Sequence, residues 1–318
     1  RASDFVNGVA MRHGEVSRGM FPSYPINSIT NGIHPATWAS EPFQLLFDRF
    51  IPEWRRDAFS LRYAVGIPSH EIASAHRIAK RKLIERVNRE TDAEFDLEAL
   101  TIAFARRATA YKRPTLVFSD MERLARIAAE AGPIQLVFAG KAHPNDAEGK
   151  GLIRQVFEAA RELRGRVSVA FLPDYGLDLA RRMVSGCDVW LNTPVPPLEA
   201  SGTSGMKAAL NGVPSLSVID GWWLEGSVAG VTGWAIGNAG HADSTEASNA
   251  LHARALYDKL QFAVLPTYYG NRERYLEIMR SCISINASFF NSQRMVLQYV
   301  AEAYRDGHAP TRAAGLDG

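Results

Sequence analysis

Short apolar runs separated by helix-length segments constrain the fold of this chain more than any other feature of its sequence. Five such runs follow one another: Leu100 to Ala105, Ile134 to Ala139, Val167 to Leu172, Val189 to Leu191 and Ser215 to Ile219. Strands that are apolar on both faces and alternate with helices are typical of a parallel sheet covered by helices on both sides. The sequence therefore predicts an α/β fold with a doubly wound parallel sheet, in which ligands bind beyond the carboxyl ends of the strands.

Composition and charge exclude several classes of function. The 318 residues are 46% hydrophobic and 22% charged, which indicates a soluble globular protein of one large or two medium domains. With a net charge of +2 and no sustained basic block, no nucleic-acid partner is predicted. The basic stretch Lys80-Arg81-Lys82 lies in a helical pattern with Ile78, Leu83 and Ile84, and we interpret it as a solvated helix face.

Membrane and metal chemistry are not expected either. No apolar run is long enough for a membrane span and no signal peptide is visible, so we expect a cytoplasmic protein without a membrane partner. Cys187 and Cys282 are too few for a disulfide framework or a Cys-rich zinc site. We therefore predict that both cysteines are reduced and buried, and we predict no metal site.

A loop of small residues that runs into a helix with one lysine is the strongest chemical signal. Residues 198–212, which we call the lysine loop, read Leu-Glu-Ala-Ser-Gly-Thr-Ser-Gly-Met-Lys-Ala-Ala-Leu-Asn-Gly. Gly202, Gly205 and the neighbouring hydroxyl residues have little bulk, so successive N–H groups can converge on an anion at the helix N-terminus. Lys207 can then reach an aldehyde, and pyridoxal phosphate supplies both groups. The alternative is an ordinary turn before a surface helix.

Polar residues elsewhere at the predicted carboxyl edge suit phosphate and sugar. Arg106, Arg107 and Lys112 follow the first run, and an arginine fork with a flexible ammonium suits a tetrahedral dianion. Surface basic residues after a strand are the alternative. In the lysine loop, the Glu199 carboxylate can accept from vicinal hydroxyls, and the N–H groups of Ser201 and the residue after it can donate to them.

Five further segments stand in the order and at the spacing of one known family. They are Phe-Val-Asn-Gly-Val-Ala-Met-Arg-His at 5–13, Thr-Asn-Gly-Ile-His-Pro at 30–35, Arg-Arg-Ala-Thr-Ala-Tyr-Lys-Arg at 106–113, Phe-Ala-Gly-Lys-Ala at 138–142 and Phe-Leu-Pro-Asp-Tyr at 171–175. Together with the lysine loop they resemble the α-glucan phosphorylases, the family of glycogen, starch and maltodextrin phosphorylases. Gly-Thr-Ser-Gly-Met-Lys and Asp-Gly-Trp-Trp at 220–223 look most like its shorter bacterial and archaeal branch.

The resemblance covers nearly the whole chain but only about the second half of such an enzyme, and the start at Arg1 fits a chain cut from something longer. It implies a Rossmann-like domain of a two-domain GT-B glycosyltransferase architecture. We expect residues 1–30 to be the tail of the amino-terminal domain and the junction, 31–290 the cofactor and phosphate domain, and 291–318 a terminal helix crossing back and a tail. Residues 246–306 predict two or three helices, broken near Pro266 and Gly270.

The resemblance also implies roles for single residues. Lys207 corresponds to the lysine that anchors pyridoxal 5'-phosphate, and the catalytic set is Lys207, Arg107 and Lys112, of which the last two bind the substrate phosphate. The other cofactor-binding residues are Arg106 near the cofactor phosphate, Tyr175 near the ring, Gly202, Thr203 and Ser204. The sugar-binding residues are His13, Asn31, Glu199, Ser201 and Gly202. Thr109 and Ala110 replace a His-Glu pair of the longer members, and Lys141 and His143 are interpreted as structural.

The reaction implied is phosphorolysis with retention. Phosphate attacks the terminal unit of an α-1,4-glucan and releases α-glucose 1-phosphate, while the cofactor phosphate relays the proton. Glu199 is accordingly assigned to binding and not to acid catalysis. Besides glucan and inorganic phosphate, we expect the missing amino-terminal domain as a partner, and a homodimer stays open because the sequence does not give the oligomeric state. Because ligands in this architecture bind between two domains, we expect the chain to be inactive on its own.

Two alternative functions remain. One is a nucleotide-sugar glycosyltransferase of glycogen-synthase type, since one scaffold hosts both activities. Such transferases carry a second glutamate seven residues after the first, where this chain has Met206 followed by the lysine. The other is a non-catalytic remnant that binds cofactor or glucan.

Overall fold

The centre of the molecule is a parallel sheet of six strands. The computed structural model describes residues 3–238 and 245–304. A small parallel pair near the amino terminus consists of β1 (Asn7–Gly8) and β2 (Asn27–Ser28). The large sheet consists of β3 (Leu100–Ala105), β4 (Ile134–Ala139), β5 (Ser168–Leu172), β6 (Val189–Asn192), β7 (Ser215–Val218) and β8 (Gly233–Ile236). Its strand order, β5-β4-β3-β6-β7-β8, is that of a Rossmann-like fold, and the direction of winding reverses between β3 and β6.

Helices connect the strands and cover both faces of the sheet. In chain order they are α1 (Met11–Met20), α2 (Pro35–Trp38), α3 (Glu41–Phe50), α4 (Ser69–Glu90), α5 (Met121–Ala131), α6 (Ala147–Glu162), α7 (Leu177–Gly186), α8 (Thr203–Leu210), α9 (Trp223–Gly226), α10 (Thr245–Lys259), α11 (Arg272–Ser281) and α12 (Ser292–Glu302). Between residues 245 and 304, the structure has three π-helical stretches, at 260–264, 266–270 and 282–287. Within the described ranges, no helix is both long and apolar enough to cross a membrane.

The doubly wound parallel sheet predicted from the apolar runs is confirmed. Successive residues of β3 point to opposite sides, so that Ile102 and Phe104 belong to one hydrophobic core while Ala103 and Ala105 belong to the other. Because each strand is buried on both faces, its sequence reads as an unbroken apolar run. Both cysteines are free and buried, as predicted. The proposed domain boundaries stay predictions, and the predicted tail at 305–318 lies outside the described residues.

The interpretation of the basic stretch on α4 as a solvated face is wrong for Lys80. Its side chain is buried, and Nζ donates to Asp188 Oδ2 (2.6 Å), to the Ala99 carbonyl oxygen (2.7 Å) and to the Tyr268 hydroxyl (3.0 Å). Ile78, which the helical pattern placed on the apolar side, is 47% exposed. The carboxylate that neutralises Lys80 lies 108 residues away in sequence, at the amino end of β6, so no local pattern could reveal it.

Candidate functional site

Two cations meet one carboxylate where the winding of the sheet reverses. Arg106 follows β3, and its Nη1 donates to Asn192 Oδ1 (2.7 Å) at the end of β6. The same nitrogen lies 2.7 Å from Glu199 Oε2, and Lys112 Nζ donates to that same carboxylate oxygen. The side chains of Arg106, Lys112 and Glu199 are each at most 10% exposed. The structure thus brings together three of the predicted site residues, and we call Arg106, Lys112 and Glu199 the charge triad.

Electrostatics in the charge triad keep Glu199 ionised. Burial alone would raise the pKa of this carboxyl group, but the charges and hydrogen bonds of Arg106 and Lys112 outweigh burial and hold the pKa below its ordinary value. A carboxyl group that stays ionised accepts hydrogen bonds and does not donate a proton. The triad carries one net positive charge, which favours an anion at this edge of the sheet.

The lysine loop packs closely against Trp222 at the start of α8. Gly202 precedes α8 in the left-handed conformation, with φ of 86°. A Cβ added at Gly205 would lie 2.8 Å from Cζ2 of Trp222, and Trp222 N in turn donates to the Ser201 carbonyl oxygen (2.8 Å). The first N–H groups of a helix have no partner inside it, and in the described part of the chain those of Thr203 and Ser204 find none elsewhere. The loop therefore presents free donors on a rigid backbone.

Lys207 lies one turn into α8 and is half-buried. Its Nζ stands over the ring of Trp38, 3.9 Å from the centroid, and Trp38 ends the short helix α2. Burial lowers the pKa of Lys207 below its ordinary value. Among the residues the structure describes, no carboxylate pairs with this amine. A desolvated amine without an acidic partner is suited to attack a carbonyl group, because a larger share of it is unprotonated.

Asp220 fixes the backbone on which Glu199 is mounted. Its Oδ2 accepts from Glu199 N and its Oδ1 accepts from Gly221 N, both at 2.9 Å. Burial raises the pKa of Asp220 to about 6, against the two backbone hydrogen bonds that lower it. Gly221 has φ of 55°, and a Cβ there would lie 2.5 Å from the Ser201 carbonyl oxygen. The loop after β7 thus packs directly on the lysine loop.

Two predicted residues surround this centre without joining the triad. Arg107 is exposed and has no hydrogen-bond or ion-pair partner within residues 3–238 and 245–304. Tyr175 is partly buried; its hydroxyl lies 3.5 Å from the Ala105 carbonyl oxygen, and burial raises its pKa. Lys141 and His143, interpreted as structural, are exposed at the end of β4, where His143 Nδ1 accepts from Asn145 N (3.2 Å).

The sugar-side residues divide between two segments. Ser201 lies in the lysine loop, and its buried Oγ has no hydrogen-bond partner among the residues that the structure describes. His13 Nδ1 accepts from Val9 N (3.1 Å), and the Asn31 carbonyl oxygen accepts from Arg294 (3.1 Å). Neither of these two forms a hydrogen bond to Glu199 or Ser201 in the described part of the molecule.

A buried arginine that the sequence reasoning missed supports the Lys112 segment. Arg113 has φ of 47°, and its guanidinium donates to the carbonyl oxygens of Thr193 (2.8 Å) and Pro194 (2.6 Å) and to Asn249 Oδ1 (2.8 Å) on α10. Thr193 Oγ1 in turn donates to the Lys112 carbonyl oxygen (3.0 Å). Burial lowers the pKa of Arg113 to about 10. The only sequence signal for it was its place at the end of the 106–113 segment.

Comparison with known proteins identifies the family of this chain. The family model described as carbohydrate phosphorylase matches residues 1–229, and the chain belongs to that family. It is 41% identical to maltodextrin phosphorylase of Thermococcus litoralis, over 96% of this chain and 40% of the relative. It is 39% identical to glycogen phosphorylase of Aquifex aeolicus (96% and 48%) and 38% identical to that of Mycobacterium tuberculosis (96% and 39%). The chain thus spans less than half the length of these relatives.

Proposed function

We propose that this chain is the cofactor- and phosphate-binding half of an α-glucan phosphorylase of GT-B architecture. The activity of the whole enzyme would be pyridoxal-phosphate-dependent phosphorolysis of α-1,4-glucan to α-glucose 1-phosphate, with retention. The observation that carries the proposal is the environment of Lys207. This half-buried amine has a lowered pKa and lies one turn into α8, directly after the glycine-containing part of the lysine loop. The names of the relatives, maltodextrin and glycogen phosphorylase, support the substrate class.

The residues present fit pyridoxal phosphate. Lys207 offers an amine without a carboxylate partner for the aldehyde. The free N–H groups of Thr203 and Ser204, at the positive end of α8, suit the phosphate group, and Arg106 adds a cation at the same edge of the sheet. Tyr175 adds a partly buried ring at the carboxyl edge of the sheet.

In the proposed mechanism the chain binds, orients and holds charge. When bound, the cofactor supplies a phosphate group that can hold and release a proton. Lys112 and the unpaired Arg107 bind and orient the inorganic phosphate, because a guanidinium fork and an ammonium fix a tetrahedral anion. Glu199, kept ionised, accepts from sugar hydroxyls and cannot protonate the departing glycosidic oxygen. The proposed mechanism therefore does not use the acid and base pair of carboxyls that a glycoside hydrolase requires.

The transferase alternative fits the site less well. In glycogen-synthase-like enzymes a second glutamate, seven residues after the first, handles the donor ribose. At that position this chain has Met206, which is 1% exposed and packed in the main hydrophobic core. A buried thioether cannot accept from ribose hydroxyls, so we favour the phosphorylase.

Reduction and absorbance test the cofactor assignment. We expect the chain incubated with pyridoxal phosphate to absorb well away from its aromatic side chains, and borohydride followed by peptide mapping to place the label on Lys207. Lys207→Ala should remove the absorbance, whereas the control Lys141→Ala, an exposed lysine beyond β4, should keep it. Label on another lysine, or equal absorbance in both variants, contradicts the proposal.

Turnover is proposed to need the amino-terminal half that the longer relatives possess. We expect the 318-residue chain to release no glucose 1-phosphate from maltoheptaose with added cofactor. The reason is that, without the amino-terminal domain on the other side of the site, water reaches the bound substrates. The comparison is with a longer protein that includes this sequence. Comparable turnover in the two would show that this half is sufficient.

A further inference from the structure

The charge triad presents a competition problem for any incoming phosphate. Both cations are already paired with one carboxylate, and they share a single oxygen of it, Oε2 of Glu199. Phosphate binding at Lys112, as the proposed function requires, therefore competes with this internal carboxylate. Sugar binding by Glu199 likewise draws on this carboxylate, whose Oε2 the two cations now engage.

We propose that Glu199 is an internal counter-anion whose displacement from Lys112 by phosphate makes its carboxylate available to sugar hydroxyls. Phosphate and sugar then support each other's binding: the anion replaces Glu199 at the cation, and the sugar holds the freed carboxylate. This inference rests on the proposed function and adds a coupling between its two substrates. By linkage, the factor by which phosphate improves sugar binding equals the factor by which sugar improves phosphate binding.

The surroundings of Glu199 permit this exchange. Asp220 holds its backbone N–H, so the side chain alone has to move. Two buried hydroxyls, Oγ of Ser201 and Oγ1 of Thr109, have no partner in the described structure and offer donors for a new anion or a sugar. Lys112 keeps an anion beside it in either state, which avoids the cost of an unpaired buried charge.

Binding of inorganic phosphate to the cofactor-free chain tests the coupling. We expect Glu199→Gln to bind phosphate about tenfold more tightly than the wild type, since the competing charge-assisted hydrogen bonds are removed. The control Glu122→Gln changes the net charge equally, but its side chain is 76% exposed and pairs with Arg166, so its affinity should stay at the wild-type value. Lys112→Gln should weaken phosphate binding. Titration calorimetry gives all four dissociation constants.

Stability provides a second readout where Glu199→Gln folds poorly. Removing the carboxylate leaves two buried cations without a counter-anion, so added phosphate should raise the melting temperature of Glu199→Gln more than that of the wild type. Glu199→Asp keeps the charge with a shorter reach and should bind phosphate with intermediate affinity. Equal phosphate affinity in wild type and Glu199→Gln, with Lys112→Gln still weaker, overturns the coupling but leaves the proposed function standing. Lack of phosphate binding in every variant overturns both.

Discussion

Replacing Lys80 by methionine should strongly destabilise the fold, although Lys80 lies far from the charge triad. Lys80 is 3% exposed and Asp188 is fully buried, so the substitution leaves a buried carboxylate without the ammonium that pairs with it. The carboxylate keeps its hydrogen bonds to His76 Nε2 (3.0 Å) and to the N–H of Thr101 (2.7 Å). Breaking a buried pair by removing one partner costs about 3–5 kcal/mol. The free energy of unfolding, measured by urea denaturation at pH 7, should fall by that amount.

Lys82→Met is the matched control on the same helix. Lys82 pairs with Glu41 at 2.8 Å, but the two side chains are 45% and 74% exposed, and exposed pairs contribute about 0–1 kcal/mol. Equal losses in the two variants would refute the reasoning that burial, and not the ion pair as such, sets the cost.

Acid should reveal the same ion pair in the wild type. Burial would raise the pKa of Asp188, but Lys80 and His76 outweigh it and lower the pKa to about 2. A depressed carboxyl pKa contributes stability above the unfolded value of 3.8, and this contribution is lost as the pH falls towards 2. Urea curves between pH 5 and pH 2 should therefore show less loss in Lys80→Met than in the wild type.

Two further outcomes concern the lysine loop. Gly205→Ala should weaken cofactor absorbance and lower the melting temperature, because the new Cβ would lie 2.8 Å from a Trp222 ring atom. The control Gly151→Ala lies in open space on α6, so it should leave the absorbance unchanged and either keep or raise the melting temperature. Asp220, with its pKa raised by burial to about 6, contributes stability that is fully present below 3.8 and lost as the pH rises through about 6. Asp220→Asn should abolish that dependence in thermal melts from pH 4 to pH 7, and an unchanged profile would contradict the assignment.

The sheet was predictable from the sequence because burial on both faces leaves an apolar run. The limits of β3 and β4 agree with the runs residue for residue. The last strand, β8, was not predicted, because Gly233-Trp-Ala-Ile is short and begins with a glycine, a residue that is depleted in strands. In the structure Gly233 has φ of 143°. The Cβ that Gly233 lacks would lie 2.3 Å from the Ser215 carbonyl oxygen, a requirement visible only in the folded sheet.

For the candidate site, the sequence predicts positions, whose roles stay predictions, but not the contacts between them. Lys207 and the small residues before α8 stand out locally, because the whole pattern lies within one short stretch of the chain. The bond from Lys112 to Glu199 joins residues 87 apart in sequence, and the anchoring of Arg113 depends on Asn249 of a distant helix. Such pairings are set by the crossing of the chain between β5 and β6, which the order of the strands decides and no local pattern encodes.

Because the winding reverses between β3 and β6, the charge triad connects the two halves of the sheet. Strand β3 pairs with β4 from Leu100 to Ala105, but with β6 the register pairs lie at Ile102 and Ala103. Beyond that short ladder, side chains also join the two halves of the sheet, with Arg106 on one side and Asn192 and Glu199 on the other. A ligand bound at the carboxyl ends of β3 and β6 would contact both halves of the sheet. We therefore expect ligand binding to make the sheet more rigid.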